Sequence, residues 1–169
     1  MNAATISATK AYPDLCKEDV ILGIMPIFHG FGLEVSINDA FSVGAEVILI
    51  PTFKANKFDE LLRKYKPSVL VGVPTLFEAL LKQKLKDKEL ECVEAVISGG
   101  DILTPELKKK VDRYLLDHGS LAEVRPGYGL TEATAATCLT NEYGYTEEGC
   151  IGIPFPDTYF KIVKIEIHF

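Results

Sequence analysis

The sequence predicts an α/β fold, a mostly parallel sheet flanked by helices. Three observations carry that prediction. Short apolar runs alternate with amphipathic stripes of helical period. Glycines, prolines and polar clusters follow the runs. The 169 residues, 47% hydrophobic and 25% charged, hold enough apolar material for one core of domain size. Alternating strand and helix patterns imply right-handed crossovers, which make neighbouring strands parallel.

Residues 1–17 read as a poorly defined lead-in, and residues 18–163 as the α/β unit. VILGIM (20–25) is an apolar run that ends at Pro26. A long, mostly apolar stretch from His29 to Val43 closes at Gly44, ahead of EVILI (46–50), which ends at Pro51. Both runs suit strands buried on two faces. Asn56 is positioned to cap a helix whose Phe58, Leu61, Leu62 and Tyr65 form one stripe, and Pro67 stops it. SVLVGV (68–73) is the next strand. In PTLFEALLKQKL, Thr75 and Glu78 have capping-box spacing, and Leu76, Phe77, Leu80 and Leu81 share a face.

The charge run KQKLKDKELE (82–91) reads as a solvated helix end and surface loop. EAVISGG (94–100) is a strand running into a glycine turn. Thr104 and Pro105 open a helix with Leu107, Val111, Tyr114 and Leu115 on one face and Gly119 just past its end. LAEVRP (121–126) is a further strand, delivering the chain into GYGLTEA (127–133), which is too rich in glycine for a strand interior and reads as a turn. From Tyr159 the alternation in TYFKIVKIEIHF predicts a last strand, and residues 164–169 read as a truncated end.

The net charge of -6, from 18 basic and 24 acidic residues, argues against a nucleic-acid partner, because sequence-independent binding needs many Lys and Arg contacts to phosphate. Cys16, Cys92, Cys138 and Cys150 form no C-x-x-C pair, and only His29, His118 and His168 could join them, so neither a zinc site nor a disulfide framework is suggested. No signal-peptide pattern opens the chain, and every apolar run is interrupted before membrane-spanning length. The expectation is a cytoplasmic protein with reduced thiols and no membrane span.

Four turns follow predicted strands: MPIFHGFG (25–32), GVPT (72–75), SGGD (98–101) and GYGLTE (127–132). In a parallel sheet, ligands sit beyond the carboxyl ends of the strands, so these turns are expected at one edge. The residue types in GYGLTE suit a nucleotide: glycines admit a close ligand, a tyrosine ring offers a flat face, a threonine hydroxyl donates to phosphate, and a carboxylate holds Mg2+. Read singly, each motif is more simply a plain turn, a core edge or a helix start. A lone histidine among aromatics is more often a satisfied core residue.

In this order and at these intervals, MPIFHGFG, GVPTLF, ISGGD, RPGYGLTEAT and GIPFPDT (152–158) resemble the central segment of the adenylate-forming superfamily, the AMP-dependent acyl-CoA synthetases, luciferases and peptide-synthetase adenylation domains. The fold implied is a subdomain of that enzyme fold. The reaction implied is activation of a carboxylic acid with MgATP to an acyl-adenylate and pyrophosphate, then transfer of the acyl group to a thiol, commonly that of coenzyme A. On this resemblance Tyr128 stacks on adenine, Thr131 binds the α-phosphate and Glu132 ligates Mg2+. Gly99, Gly100 and Asp101 lie along the adenine and the acyl pocket, and Gly129 is a further nucleotide contact. Val73, Pro74 and Gly127 line the acyl pocket, and His29 is the gate near the carboxylate.

The sequence departs from the superfamily pattern in two ways. Before His29 only ATISATK stands where a Ser/Thr/Gly-rich, lysine-bearing loop is expected, and the downstream ribose-binding aspartate and lysine-bearing mobile domain are absent. The expectation is therefore a fragment of a larger enzyme that folds without turning over. The alternative is a stand-alone nucleotide-binding or interaction module. The apolar neighbourhood of His29 suits a fatty or aromatic acid, and exposed apolar surface suggests self-association.

Overall fold

The computed structural model describes residues 15–140, 147 and 149–164. Most of the expected lead-in, and all but Lys164 of the expected truncated end, lie outside these residues. The strands are β1 (Val20–Gly23), β2 (Glu46–Leu49), β3 (Val69–Gly72), β4 (Ala95–Ser98), β5 (Val124–Leu130), β6 (Ala135–Leu139) and β7 (Ile153–Pro154). They form one seven-stranded sheet in the order β2-β1-β3-β4-β5-β6-β7, parallel from β2 through β5 and antiparallel across β5, β6 and β7. The mostly parallel α/β prediction holds.

Strand alternation divides the core in two. Leu22, Leu70, Val96 and Val124 face one side, where they meet helices α2 (Phe58–Tyr65), α3 (Pro74–Leu80) and α4 (Pro105–Asp117) through Phe58, Leu62, Phe77, Leu80 and Leu115. Ile21, Val69, Val71 and Ile97 face the other side, against a π-helical segment, Phe31–Asn38, that continues into the short helix α1 (Asp39–Val43). Residues next to each other in a strand thus belong to different layers, as a pleat of period two requires.

Helix starts follow local chemistry unevenly. Thr104 caps α4, its Oγ1 accepting from Leu107 N–H at 3.3 Å with Pro105 in the first turn. The other two expected caps do not form. Asn56 sits inside a 3-10 turn, Ala55–Lys57, and Lys57 precedes α2 without a side-chain cap. Pro74 starts α3 after extended Val73, so the Thr75 and Glu78 capping box gives way to the proline. The stripes survive these changes because burial of Phe58, Leu62, Leu76 and Leu80 decides them. In the charge run, Leu90 is fully buried although its neighbours are solvated.

Three strand expectations change. β2 is an edge strand with Glu46 and Leu49 exposed, not buried on two faces. The strand expected at LAEVRP begins at Val124 and runs through GYGL, so the glycine-rich segment is strand rather than turn. Residues 159–164 form no strand, and 165–169 lie outside the described residues. Pairing with β6 explains the second change. A Cβ on Gly129 would collide with the Ala135 carbonyl, and one on Gly127 would stand 3.0 Å from the Cys138 oxygen, so the close antiparallel partner demands glycine at both positions.

The π-helical segment carries an unusual load. Its five-residue spacing lets the Asp39 N–H donate to the Glu34 carbonyl and brings two buried acids to successive turns. Burial first, and then the charge of Glu34, push the Asp39 carboxyl from 3.8 up to about 8. The folded state therefore holds this proton more tightly than the unfolded chain. That contribution to stability is fully present below about pH 4 and is lost as pH rises through about 8. Asp39→Asn is expected to raise the thermal midpoint at pH 8 by about 5 °C and to flatten the decline between pH 5 and 8. A variant with the native pH profile in scanning calorimetry would contradict this account.

Candidate active site

Because β1, β3, β4 and β5 run parallel, the segments that follow them emerge at one edge of the sheet. His29 to Phe31, Ser98 to Gly100 and Gly127 to Thr131 converge there around a pocket of about 150 Å3. Such a volume is below the roughly 300–1,000 Å3 typical of a complete small-molecule site.

Its tightest feature is the apposition of an aromatic ring and a glycine pair. A Cβ added to Gly99 would stand 3.2 Å from Phe31 Cζ, and one on Gly100 would stand 3.8 Å from Phe31 Cδ1. The Phe31 ring therefore lies directly on the Gly99–Gly100 backbone. Gly100 also has φ of +77°, a left-handed conformation that glycine adopts without strain. Val73 stands behind it, its Cγ1 3.2 Å from where a Gly100 side chain would begin. Pro74 is buried in the first turn of α3. Neither Val73 nor Pro74 is a wall of the pocket; Val73 supports the glycine turn from outside.

The other wall is the hairpin of β5 and β6. The register shifts between Tyr128 and Gly129, leaving Thr137 as the extra residue, and its hydroxyl donates to the Tyr128 carbonyl at 3.1 Å. A 3-10 turn, Thr131–Ala133, follows, and Thr134 and Ala135 return with positive φ of 60° and 85°. Positive φ at two non-glycine residues is backbone strain at the rim of the pocket. Gly30 packs against this turn, with a Cβ there only 3.4 Å from Ala135 N.

Thr131 lines the pocket, and Glu132 is exposed beside it in the same 3-10 turn. Tyr128 is half-exposed, with one edge-to-face contact to Phe160 at 6.4 Å between centroids and 83° between planes. The His29 Nδ1 accepts from the Phe31 N–H at 3.1 Å, so in the neutral ring Nε2 carries the proton and is the donor. Asp101 is turned away: it is exposed, and its Oδ1 accepts from Ile102 N–H at 2.7 Å, outside the pocket walls.

Sequence reasoning missed Phe31, which lay inside a quoted motif, and all of β6, whose Ala135, Ala136, Cys138 and Leu139 complete the pocket. The signal for β6 was weak because AATCL is short, without alternation, and begins with no glycine or proline. Among the described residues no cluster of three metal-binding side chains exists. A magnesium ion fits this chemistry nonetheless, since it takes one or two carboxylates and completes its shell with phosphate oxygens and water.

A family model described as AMP-binding enzyme matches residues 1–167. Among curated proteins, the chain is 34% identical over 147 residues to a long-chain-fatty-acid–CoA ligase of Bacillus subtilis, covering 86% of this chain and 25% of that protein. It is 35% identical over 147 residues to a luciferin 4-monooxygenase of Luciola mingrelica, covering 86% and 26%. The chain thus spans about a quarter of the length of the curated relatives it matches. Among solved structures, a long-chain-fatty-acid-CoA ligase from Archaeoglobus fulgidus superposes with a TM-score of 0.78 at 22% identity, over 90% of this chain and 31% of that one. A benzoate CoA ligase from Burkholderia xenovorans gives 0.76 at 24% identity, over 91% and 32%. At these identities the structural likeness concerns the fold.

The apposition of Phe31 and Gly99 is open to a direct check. In Gly99→Ala the added methyl displaces the ring, so the aromatic proton shifts of Phe31 move in NMR spectra while those of Phe77, on the opposite sheet face, stay. Unmoved Phe31 resonances would mean that the ring does not lie on the glycine backbone.

Proposed function

This chain belongs to the AMP-binding enzyme family, and from that premise we propose that it carries the adenine, α-phosphate and acyl elements of an ATP-dependent carboxylate-activating enzyme. The reaction is attack of a carboxylate oxygen on the α-phosphorus of ATP with loss of pyrophosphate, then transfer of the acyl group to the thiol of coenzyme A. The observation that carries this reading is the convergence of His29–Phe31, Gly99–Gly100 and Gly127–Thr131 on one pocket beyond the carboxyl ends of the strands.

In this reading the half-exposed Tyr128 ring stacks on adenine, and the glycine backbones at 99, 100 and 129 let the base and ribose approach the chain closely. The Thr131 hydroxyl donates to an α-phosphate oxygen. Its position on a 3-10 turn closed by Thr134 N–H to Thr131 O at 3.0 Å keeps it oriented before the ligand arrives. Glu132, exposed next to it, would hold magnesium, which neutralises phosphate charge so that one anion can attack another. His29 offers its Nε2–H to the acid's carboxylate, and Gly127 and Phe31 bound the acyl side. Val73 acts behind this wall, through the seat of Gly100, and Pro74 starts the helix that follows it.

The substrate is a fatty or aromatic carboxylic acid, a reading supported by the aliphatic and aromatic character of Phe31, Val35 and Ile97 along the pocket. Cytoplasmic residence follows the same reading, and no helix among the described residues is long and apolar enough to cross a membrane. The chain spans about a quarter of the length of its curated relatives, and in this reading these 169 residues bind while turnover belongs to the whole protein.

Calorimetry with a non-hydrolysable acyl-adenylate analogue is the test. Binding is expected, weakened roughly tenfold by Tyr128→Ala and by Thr131→Ala, the usual worth of a stacking ring or a phosphate donor. Affinity indifferent to both substitutions would remove the pocket from nucleotide recognition. Pyrophosphate release from ATP, Mg2+ and a panel of acids is expected to stay at background, and sustained release would show that the chain is catalytically complete.

A further inference from the structure

A second cavity, of about 740 Å3, lies toward the amino ends of the strands and shares the Val35 and Ile97 walls with the first, while none of the residues read as nucleotide contacts lines it. Ile21, Val69, Val71 and Ile97 give it an aliphatic floor. Two polar groups in its wall stand out. Asp39 is 2% exposed and Thr140 is 1% exposed, yet Asp39 Oδ1 and Thr140 Oγ1 have no hydrogen-bond partner. Asp39 lies one turn beyond Val35 on the helical stripe that faces the sheet. A buried carboxylate oxygen without a partner is costly, and the cost disappears only when a donor reaches it.

The charges around the cavity say which donor. Asp19, Asp39, Glu91, Glu94 and Glu123 line it, against Lys108 and Arg125. Lys108 already pairs with Asp112 at 2.6 Å and Glu123 at 3.3 Å. Arg125 gives its Nε and Nη2 to the Thr140 carbonyl at 2.9 and 2.8 Å. Asp19 is satisfied by Ser68 Oγ and Cys16 N–H. An anionic ligand would meet an excess of like charge, and a plain alkyl chain would leave Asp39 and Thr140 unpaired.

We propose that this cavity binds a small organic cation, an ammonium or guanidinium on an aliphatic stem, with Asp39 as counter-ion and the Thr140 hydroxyl as a second acceptor. The stem lies along Ile21, Val69 and Val71, and the cavity is ample for a ligand of that size. A consequence follows for protons. Burial and Glu34 keep the Asp39 carboxyl protonated up to about 8, with Asp19, Glu91, Glu94, Lys108, Glu123 and Arg125 the other charged groups lining the same space. A cation seated on Asp39 stabilises the carboxylate, so binding near pH 7 releases a proton.

Calorimetric titration with hexylguanidinium and its neutral isostere hexylurea tests the proposal, each run in two buffers of different ionisation enthalpy. The expected result is at least ~10-fold tighter binding of the guanidinium, as for a desolvated charge pair, with net proton release. That preference and the proton release vanish in Asp39→Asn, while Thr140→Val, which keeps the carboxylate, weakens the guanidinium a few-fold. A capped pentapeptide Leu-Val-Arg-Val-Leu forms the second arm. Tighter binding than hexylguanidinium names a polypeptide side chain as the source of the cation, and weaker binding names a free amine or guanidine. Equal affinity for hexylguanidinium and hexylurea, no binding of either at millimolar concentration, or a preference retained in Asp39→Asn would overturn the proposal.

Discussion

The close pairing of β5 with β6 is the constraint on which the rest of the candidate site depends. β5 completes the parallel sheet against β4 through Pro126 and, from Gly127 onward, turns to an antiparallel partner. The approach is so near that Gly129 has no room for a side chain under the Ala135 carbonyl. This pairing holds Tyr128 and Thr131 at the end of a strand rather than on a free loop, and the strained return through Thr134 and Ala135 brings the hairpin against Gly30. A residue of ordinary size at position 129 would separate β5 from β6 and open the pocket on that side.

The second organising fact is that the two faces of the sheet are covered differently. The face under α2, α3 and α4 is an aliphatic and aromatic core with fully buried Phe58, Phe77, Leu80 and Leu115. The face under the π-helical segment mixes Phe31 and Val35 with Glu34, Ser36 and Asp39, and it borders both cavities, which share Val35 and Ile97 as walls. Polar groups within a buried face lower stability, and in folded proteins such positions are commonly where chemistry or recognition is carried out. The wider π turn suits this role because it sets Glu34 and Asp39 on neighbouring turns and still presents Phe31 to the glycine pair.

Much of the site was legible before the fold. The motifs FHGFG, SGGD and GYGLTE each follow a run that becomes a strand, and a parallel sheet brings such turns to one edge whatever the details of packing. What misled was local chemistry read without its partner. The glycines of GYGL signal a turn by propensity, yet a neighbouring strand selects glycine for want of space. Asp101 is exposed and its Oδ1 accepts from the N–H of the next residue, a local engagement that the motif SGGD does not announce. Asn56 and Thr75 had the chemistry of caps, and a 3-10 turn and a proline displaced them.

The sequence by itself determined the fold class, the order of strands and helices along the chain as far as β5, the amphipathic faces and the three strand-end segments that meet at the pocket, because apolar periodicity and strand-end turns are properties of contiguous residues. Only the tertiary structure decided that Phe31 lies on Gly99, that β6 closes the pocket, that Val73 stands behind it, and that the Asp39 Oδ1 is buried without a hydrogen-bond partner. Each of these is a contact between residues far apart in the chain. No local pattern encodes such contacts, since the room left by one segment is set by the segment packed against it.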